Sequence, residues 1–242
     1  PPTFADQHPV EPATSDRSKQ AVLQDLAKRL AETGGRSILM SEAERRVALA
    51  NTHLIAPVRT LAPSPNAYAL TQDLRPEIAD IEYDFEGETF TVGSFLKRHE
   101  LMGFLIVEGD TIQLEHYASD HGPEVRWNTF SVAKSVTSML IGAAIKDGYI
   151  DNVNETIETY LPRMRGSKYG AITIRQALQM SSGIRWSEGY DDPDSDVVKE
   201  ALKEGIALTD YLATLPQLHK AGPTFNYNTA ETNLLSEVLR TA

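Results

Sequence analysis

From Phe130 to Ile145 the chain carries a long apolar run, through Val132, Ala133, Val136, Met139, Leu140 and Ile141, that is read as a helix. Ser131 and Lys134 stand where that helix begins. Residues three apart share a helix face, so an amine at 134 can reach a hydroxyl at 131. The unpaired N–H groups of a first helical turn favour negative charge developing at the same place. Val132, Ala133, Val136 and Met139 are expected to desolvate the amine and lower its pKa, which makes serine chemistry possible without histidine. The same four-residue pattern occurs at Ser94-Phe95-Leu96-Lys97, where the lysine runs into Arg98, His99 and Glu100. That setting reads as a solvated helix end, and one accidental Ser-x-x-Lys is about what a chain of this size should contain.

Composition removes several alternatives. With 242 residues, 41% of them hydrophobic, the chain can bury a substantial core. A formal charge of −11, with Lys and Arg dispersed among carboxylates, argues against a nucleic-acid face and against attraction to membranes. There is no cysteine, hence no disulfide, thiolate zinc site or cysteine nucleophile. No apolar stretch approaches the ~20 residues needed to span a bilayer. The first residue is Pro1 and no signal peptide is visible, so the chain is read as a processed or trimmed product. Its localisation stays open, with the periplasm or secretion favoured over the cytoplasm.

Residues 1–16 are rich in Pro, Ser, Thr and Asp and are expected to form a flexible arm. Over 17–76 we expect a helical extension and linker. Val22, Leu23, Leu26 and Leu30 mark one helix that Gly34-Gly35 stops; Ser41 and Glu44 form a capping box for a second that runs to about Leu54; Pro57 to Pro76 is an extended connection. Two hairpins follow, Ile81–Phe85 with Thr89–Val92, then Gly103–Val107 with Thr111–His116. Apolar residues on both faces of the second pair predict strands covered on both sides. Beyond Gly148 the pattern is helical and loop-rich, with helices expected near Ile172–Met180, Ala207–Leu215 and Thr232–Leu239.

A tyrosine at 227 lies in the short segment Phe225-Asn226-Tyr227-Asn228-Thr229, between Pro223 and the last helical run. The order of these features is a hairpin, Phe-Ser-x-x-Lys, Tyr160-Leu161-Pro162, the Thr173–Leu178 helix, Ser181-Ser182-Gly183-Ile184 and the Tyr227 loop. It resembles the serine β-lactamase and penicillin-binding superfamily, in its branch of class C-like esterases and amidases. The stretch Trp186-Ser187-Glu188-Gly189-Tyr190-Asp191-Asp192-Pro193 further resembles the 6-aminohexanoate-dimer (nylon-oligomer) hydrolases. The likeness runs from about Gly103 to Ala242.

The resemblance implies an α+β fold in three layers, with helices packed on a central antiparallel sheet beside an all-helical lobe, and residues 77–242 as the front part of that domain. It implies Ser131 as the acylated nucleophile, with Lys134 and Tyr227 completing the catalytic set. Tyr190 matches a loop tyrosine at the scissile amide or leaving group, Trp186 is assigned to the pocket wall, and Asn228 is grouped with the substrate-binding residues. No cofactor and no metal are called for. The substrate implied is a small amide or ester. β-Lactams, D-amino-acid peptides and non-catalytic binding of peptides or cell-wall fragments stay as alternatives.

Two departures stand out. Class C β-lactamases carry Tyr-x-Asn, whereas Thr229 stands two residues after Tyr227, with Asn228 one position early. That removes a planar donor-acceptor partner for a β-lactam side chain and favours a more permissive esterase or amidase. The family's third motif, Lys or His followed by Thr or Ser and Gly, does not occur after the Tyr227 loop, and with it the last strands of the sheet are missing. The expectation is therefore a longer polypeptide whose remainder is a partner of this chain.

Other candidate sites are weaker. Asp192-Pro193-Asp194-Ser195-Asp196 lacks the glycine and glutamate of an EF-hand loop and reads as an acidic surface turn. His116 and His121 read as ordinary strand-end residues, and no Gly-x-Ser-x-Gly elbow is present.

Overall fold

The computed structural model describes residues 16–32, 37–56, 58–99, 101–118, 121–200 and 205–242. The expected arm over 1–16, apart from Asp16, and the Gly34-Gly35 helix stop lie outside these residues. The chain divides into two compact units, one of residues 1–27 and 46–128, the other of residues 28–45 and 129–242.

Helix α1 (Asp16–Glu32) and helix α2 (Glu42–Ala50) follow the apolar periodicity. Ser41 and Glu44 form the reciprocal cap read from the sequence: the Ser41 N–H donates to the Glu44 carboxylate at 2.9 Å and the Glu44 N–H to the Ser41 hydroxyl at 3.4 Å. The second helical run breaks at Asn51 and resumes as the single turn α3 (Thr52–Ile55).

The first unit holds both hairpins. Strands β2 (Glu82–Phe85) and β3 (Glu88–Thr91) turn at Glu86 (φ 51°) and Gly87 (φ 82°), the pair of positive dihedrals that matches the twist of a two-residue hairpin. Strand β3 runs into helix α4 (Val92–Arg98) through a second capping box, in which the Ser94 N–H donates to Thr91 Oγ1 at 3.1 Å and the Thr91 N–H to Ser94 Oγ at 2.9 Å. Strands β4 (Gly103–Glu108) and β5 (Thr111–Tyr117) pair antiparallel with a register shift between Ile106 and Val107.

The stretch read as a plain connection hides a short strand, β1 (Thr71–Gln72), that pairs parallel with β5. The order β1-β5-β4 therefore makes the sheet mixed, not wholly antiparallel. A two-residue strand held by backbone bonds from Thr71 to Asp110 in the turn before β5, and from Asp73 and Arg75 to Ile112 and Gln113 of β5, has no side-chain period to announce it. The expectation of strands covered on both faces also needs correction. Phe104 and Ile106 are half-buried, while Leu105 and Val107 are exposed.

The second unit is helical, as expected of the lobe. Beside the end of α1 and the start of α2 it holds α5 (Val132–Lys146), α6 (Ile157–Tyr160), α7 (Ile174–Leu178), α8 (Asp196–Glu200), α9 (Gly205–Ala213) and α10 (Thr229–Thr241). Helix α10 is the centre of the packing, touching α5, α6, α7, α8 and α9. Its Ala230, Leu234, Leu235 and Val238 join Ile141, Ile157, Ile174, Leu208 and Leu212 in one buried cluster. Helix α7 begins with a capping box of Thr173 and Gln176. Gly183 is required where it stands: its φ is +71°, and a Cβ there would lie 2.2 Å from the His219 carbonyl oxygen.

Helix α5 departs from the expectation attached to it. Val132, Val136, Met139 and Leu140 are exposed, and among its described residues only Ile141 is buried. Positions 132, 136 and 139 form one stripe of the helix, whereas Lys134 shares the opposite stripe with Ile141 and Ile145. The apolar side chains expected to dry the lysine thus lie on the far side of the helix from it.

Candidate active site

Ser131 precedes α5 with helical dihedrals (φ −67°, ψ −7°), and its hydroxyl makes no cap to the helix backbone. It accepts instead from the Lys134 ammonium, with Nζ 2.9 Å from Oγ. The start of α5 is wound tightly: the N–H groups of Val132, Ala133 and Lys134 donate to the carbonyls three residues back, those of Thr129, Phe130 and Ser131. Phe130 pays for this with a left-handed backbone, φ 44°, a conformation that costs on the order of 1–3 kcal/mol for a residue with a side chain. Such a turn lifts Ser131 clear of the helix, and Ser131 is exposed while Lys134 is half-buried.

Tyr227 comes from the loop before α10. The Lys134 Nζ lies 5.1 Å from the centroid of its ring, within the range of a cation–π contact. The tyrosine is held from both sides by asparagines. The Asn226 N–H donates to the Met180 carbonyl at 2.9 Å, and its side-chain amide reaches the Trp186 carbonyl at 3.4 Å. Asn228 is 1% exposed; its amide donates to the Tyr169 hydroxyl at 2.8 Å, and its carbonyl oxygen accepts from the Glu231 N–H at 3.2 Å as the cap of α10. Asn228, expected at the substrate, is thus turned into the core, because the helix start needs its side-chain oxygen.

Beneath that cap lies Glu231, 1% exposed. Burial pushes its carboxyl up to about 8, against partial relief from the Ser182 and Tyr169 hydroxyls. Burial, and next the Glu231 charge, push the Tyr169 phenol well above its ordinary range.

The third contributor is the loop after Gly183. Glu188 is its hub: the Trp186 indole N–H, the Tyr190 hydroxyl (2.7 Å), the Thr229 N–H (3.0 Å) and the Thr229 hydroxyl all donate to this one carboxylate. Burial, followed by the bond to Glu188, pushes the Tyr190 phenol up to about 12, with Thr229 opposing and the Tyr227 phenol adding a further rise. Tyr190 and Tyr227 are therefore electrostatic neighbours. Trp186 is 6% exposed and Tyr190 is 42% exposed. The loop itself is braced by Asp196, which accepts both Arg185 Nη groups at 3.0 and 3.1 Å and the Ser187 N–H at 2.7 Å.

Five of the six residues singled out from the sequence thus converge: Ser131, Lys134 and Tyr227 directly, Tyr190 and Trp186 through Glu188. Glu188 carried no role in the sequence reading. A carboxylate flanked at two residues on each side by Trp186 and Tyr190 is its only local mark, and the long-range partner Thr229 has none. Among the described residues no cluster of three or more His, Asp or Glu side chains could hold a metal ion. No helix among them is long and apolar enough to cross a membrane. Asp196 corrects the reading of 192–196 as a surface turn: it is 5% exposed, while Asp192 and Asp194 face solvent.

The Beta-lactamase family matches residues 96–242, well over half of the chain. The chain belongs to the beta-lactamase family. A 6-aminohexanoate-dimer hydrolase from Paenarthrobacter ureafaciens is 31% identical over 144 residues, covering 56% of this chain and 36% of that protein. A solved structure from Bacillus anthracis, named for the same hydrolase, superposes with a TM-score of 0.69 at 18% identity, over 83% of this chain and 55% of the other. A Bacteroides dorei structure named for a beta-lactamase gives 0.52 at 21% identity, over 62% of this chain and 44% of that one. This chain therefore spans 36% of the length of the Paenarthrobacter relative and about half that of the Bacillus one. The family match begins within α4 and takes in α5, the 186–190 loop and Tyr227, so every element of the site falls inside the beta-lactamase region.

Proposed function

We propose that this beta-lactamase-family chain is a serine hydrolase that cleaves amide or ester bonds through a covalent acyl-enzyme. The observation that carries the reading is the Lys134 ammonium, 2.9 Å from the Ser131 hydroxyl and 5.1 Å from the centre of the Tyr227 ring. In the reaction the Lys134 and Tyr227 pair starts one proton short, as free amine with phenol or as ammonium with phenolate; the Ser131 oxygen bonds to the substrate carbonyl carbon, the carbonyl π electrons move onto its oxygen, and the Ser131 proton passes to that pair. The Ser131 N–H helps hold the oxyanion. Collapse of the tetrahedral intermediate breaks the bond to the leaving amine or alcohol, which takes the proton back from the pair. Water then adds to the acyl-enzyme by the same route in reverse and frees Ser131.

Amides of the 6-aminohexanoate type are the substrate class we favour. Support comes from the Trp186–Pro193 loop and from the name of the Paenarthrobacter relative. Thr229 supports the choice over β-lactams. It stands where an asparagine would receive a β-lactam side chain, and both its N–H and its hydroxyl are engaged by Glu188.

The test is a fluorophosphonate probe followed by peptide mass analysis. Modification at Ser131 with loss of p-nitrophenyl ester turnover is expected; an unmodified protein, as a non-catalytic binding module would be, ends the proposal.

A further inference from the structure

Four hydrogen-bond donors meet on Glu188: the Trp186 indole N–H, the Tyr190 hydroxyl, the Thr229 N–H and the Thr229 hydroxyl. An ionised carboxylate accepts about four hydrogen bonds and donates none, so this one is saturated. Neither oxygen is left to meet a substrate. The consequence falls on Tyr190, whose hydroxyl has a single proton, given to Glu188 at 2.7 Å.

We infer that Glu188 is a positioning residue that fixes the direction of the Tyr190 O–H bond, so that Tyr190 offers the substrate an oxygen lone pair and selects for a group bearing N–H. This inference rests on the serine-hydrolase reading above and specifies how that site tells an amide from an ester. Tyr190 is 42% exposed and lies close enough to Tyr227 to be coupled to it. This role requires its oxygen to face a molecule bound at Ser131. An amide N–H donates to that lone pair, which orients the amide for attack. An ester presents an oxygen with lone pairs of its own and gains nothing there. The leaving group takes its proton from Lys134 and Tyr227, because the Tyr190 proton is held by Glu188. The amide selectivity sits in the polarity of one hydroxyl, and that polarity is set by a residue that does not touch substrate.

Replacing Glu188 by glutamine tests the point with little change of shape. Glutamine has one carbonyl oxygen and an NH2 group, so two of the four donors would face another donor, and the Tyr190 proton would be released toward the cleft. The measurement compares kcat/KM for a p-nitroanilide and a p-nitrophenyl ester of the same acyl group, in the full chain. In Glu188→Gln the anilide-to-ester ratio should fall about tenfold, the size of one hydrogen bond to the reacting group. Tyr190→Phe should lower the ratio similarly in the parent protein and add no further drop in the Glu188→Gln background.

A second readout does not depend on turnover. The 13Cζ resonance of Tyr190, assigned by its absence in Tyr190→Phe, should stay protonated across the ordinary tyrosine range near 10 in the parent protein and titrate within it in Glu188→Gln. Equal losses for anilide and ester, or a Tyr190 titration unmoved by Glu188→Gln, overturn the inference. If Ser131 forms no acyl-enzyme, the serine-hydrolase reading fails, and the Tyr190 titration still decides the orienting role of Glu188. Should Glu188→Gln not fold, Glu188→Asp carries the same test. Its shorter carboxylate withdraws from Tyr190, and the titration should move in the same direction by less.

Discussion

Ser94 and Ser131 each open a Ser-x-x-Lys, and the two serines have opposite fates. The Ser94 hydroxyl is closed into a capping box, accepting from the Thr91 N–H at 2.9 Å and donating to the Thr91 carbonyl at 2.7 Å. It is consumed by the start of its own helix. The Ser131 hydroxyl makes no bond to its helix backbone and is met by the lysine one turn on, at 2.9 Å. The difference begins one residue earlier. Thr91, in an extended conformation, brings its own side chain to the cap, whereas Phe130 is in the left-handed region and has no hydroxyl to offer. Which serine hydroxyl is left for its lysine to reach is decided here by what satisfies the first turn, not by the spacing to lysine.

The largest expected effect breaks the comparison outright. Ser131→Ala should abolish burst-phase acylation by a p-nitrophenyl ester, while Ser94→Ala leaves the burst amplitude intact; the reverse pattern would exchange the roles of the two serines. Next comes the pair of lysines. Lys134→Met should lower kcat/KM by ~10²-fold or more, as expected for loss of a group that carries the serine proton, and Lys97→Met should not lower it measurably.

A smaller effect sharpens the contrast from the scaffolding side. Thr91→Ala removes the cap partner of Ser94 and should cost about 1 kcal/mol in chemical denaturation, with the acylation rate unchanged. Parallel losses of stability and acylation would show that the first helix start also serves the site.

The subtlest effect concerns what lies behind the Tyr227 loop. The Glu231 carboxyl faces Tyr169, Asn228 and Ser182 and is raised from 4.5 to about 8 in the folded protein. Above 4.5 the unfolded chain releases this proton while the folded one keeps it, so the contribution is full below 4.5. It falls as pH rises and is gone once pH passes about 8. The limiting slope is roughly 1.4 kcal/mol per pH unit. Glu231→Gln should flatten the stability profile over that window, and a profile as steep as the parent's would assign the dependence elsewhere. Asp196 acts with the opposite sign. Burial alone would raise its carboxyl, but hydrogen bonds from Tyr211, Ser187 and Arg185 prevail and hold it below 3.8, so its contribution is lost as pH falls.

The local devices of this protein were legible in its residues. The Ser41–Glu44 capping box, both hairpins and the 131–134 adjacency follow from spacings of two to four positions, where backbone geometry alone fixes which side chains meet. The α+β class came instead from the resemblance carried by the order of these motifs, and the family match bears it out. Distance in sequence marks what was not legible. The parallel strand β1 finds its partner some forty residues on, through Thr71 and Thr111. Asn228 was drawn to the substrate by its neighbour Tyr227, yet the start of α10 turned it inward. Glu188 acquires its role only when the 186–190 loop meets Thr229, forty-one residues away. Sequence by itself determined which groups could react and that an amine would stand beside a hydroxyl. Tertiary structure decided which serine hydroxyl was left free of its own helix backbone and which way the Tyr190 proton points, because both depend on donors and acceptors that only folding brings within hydrogen-bond reach.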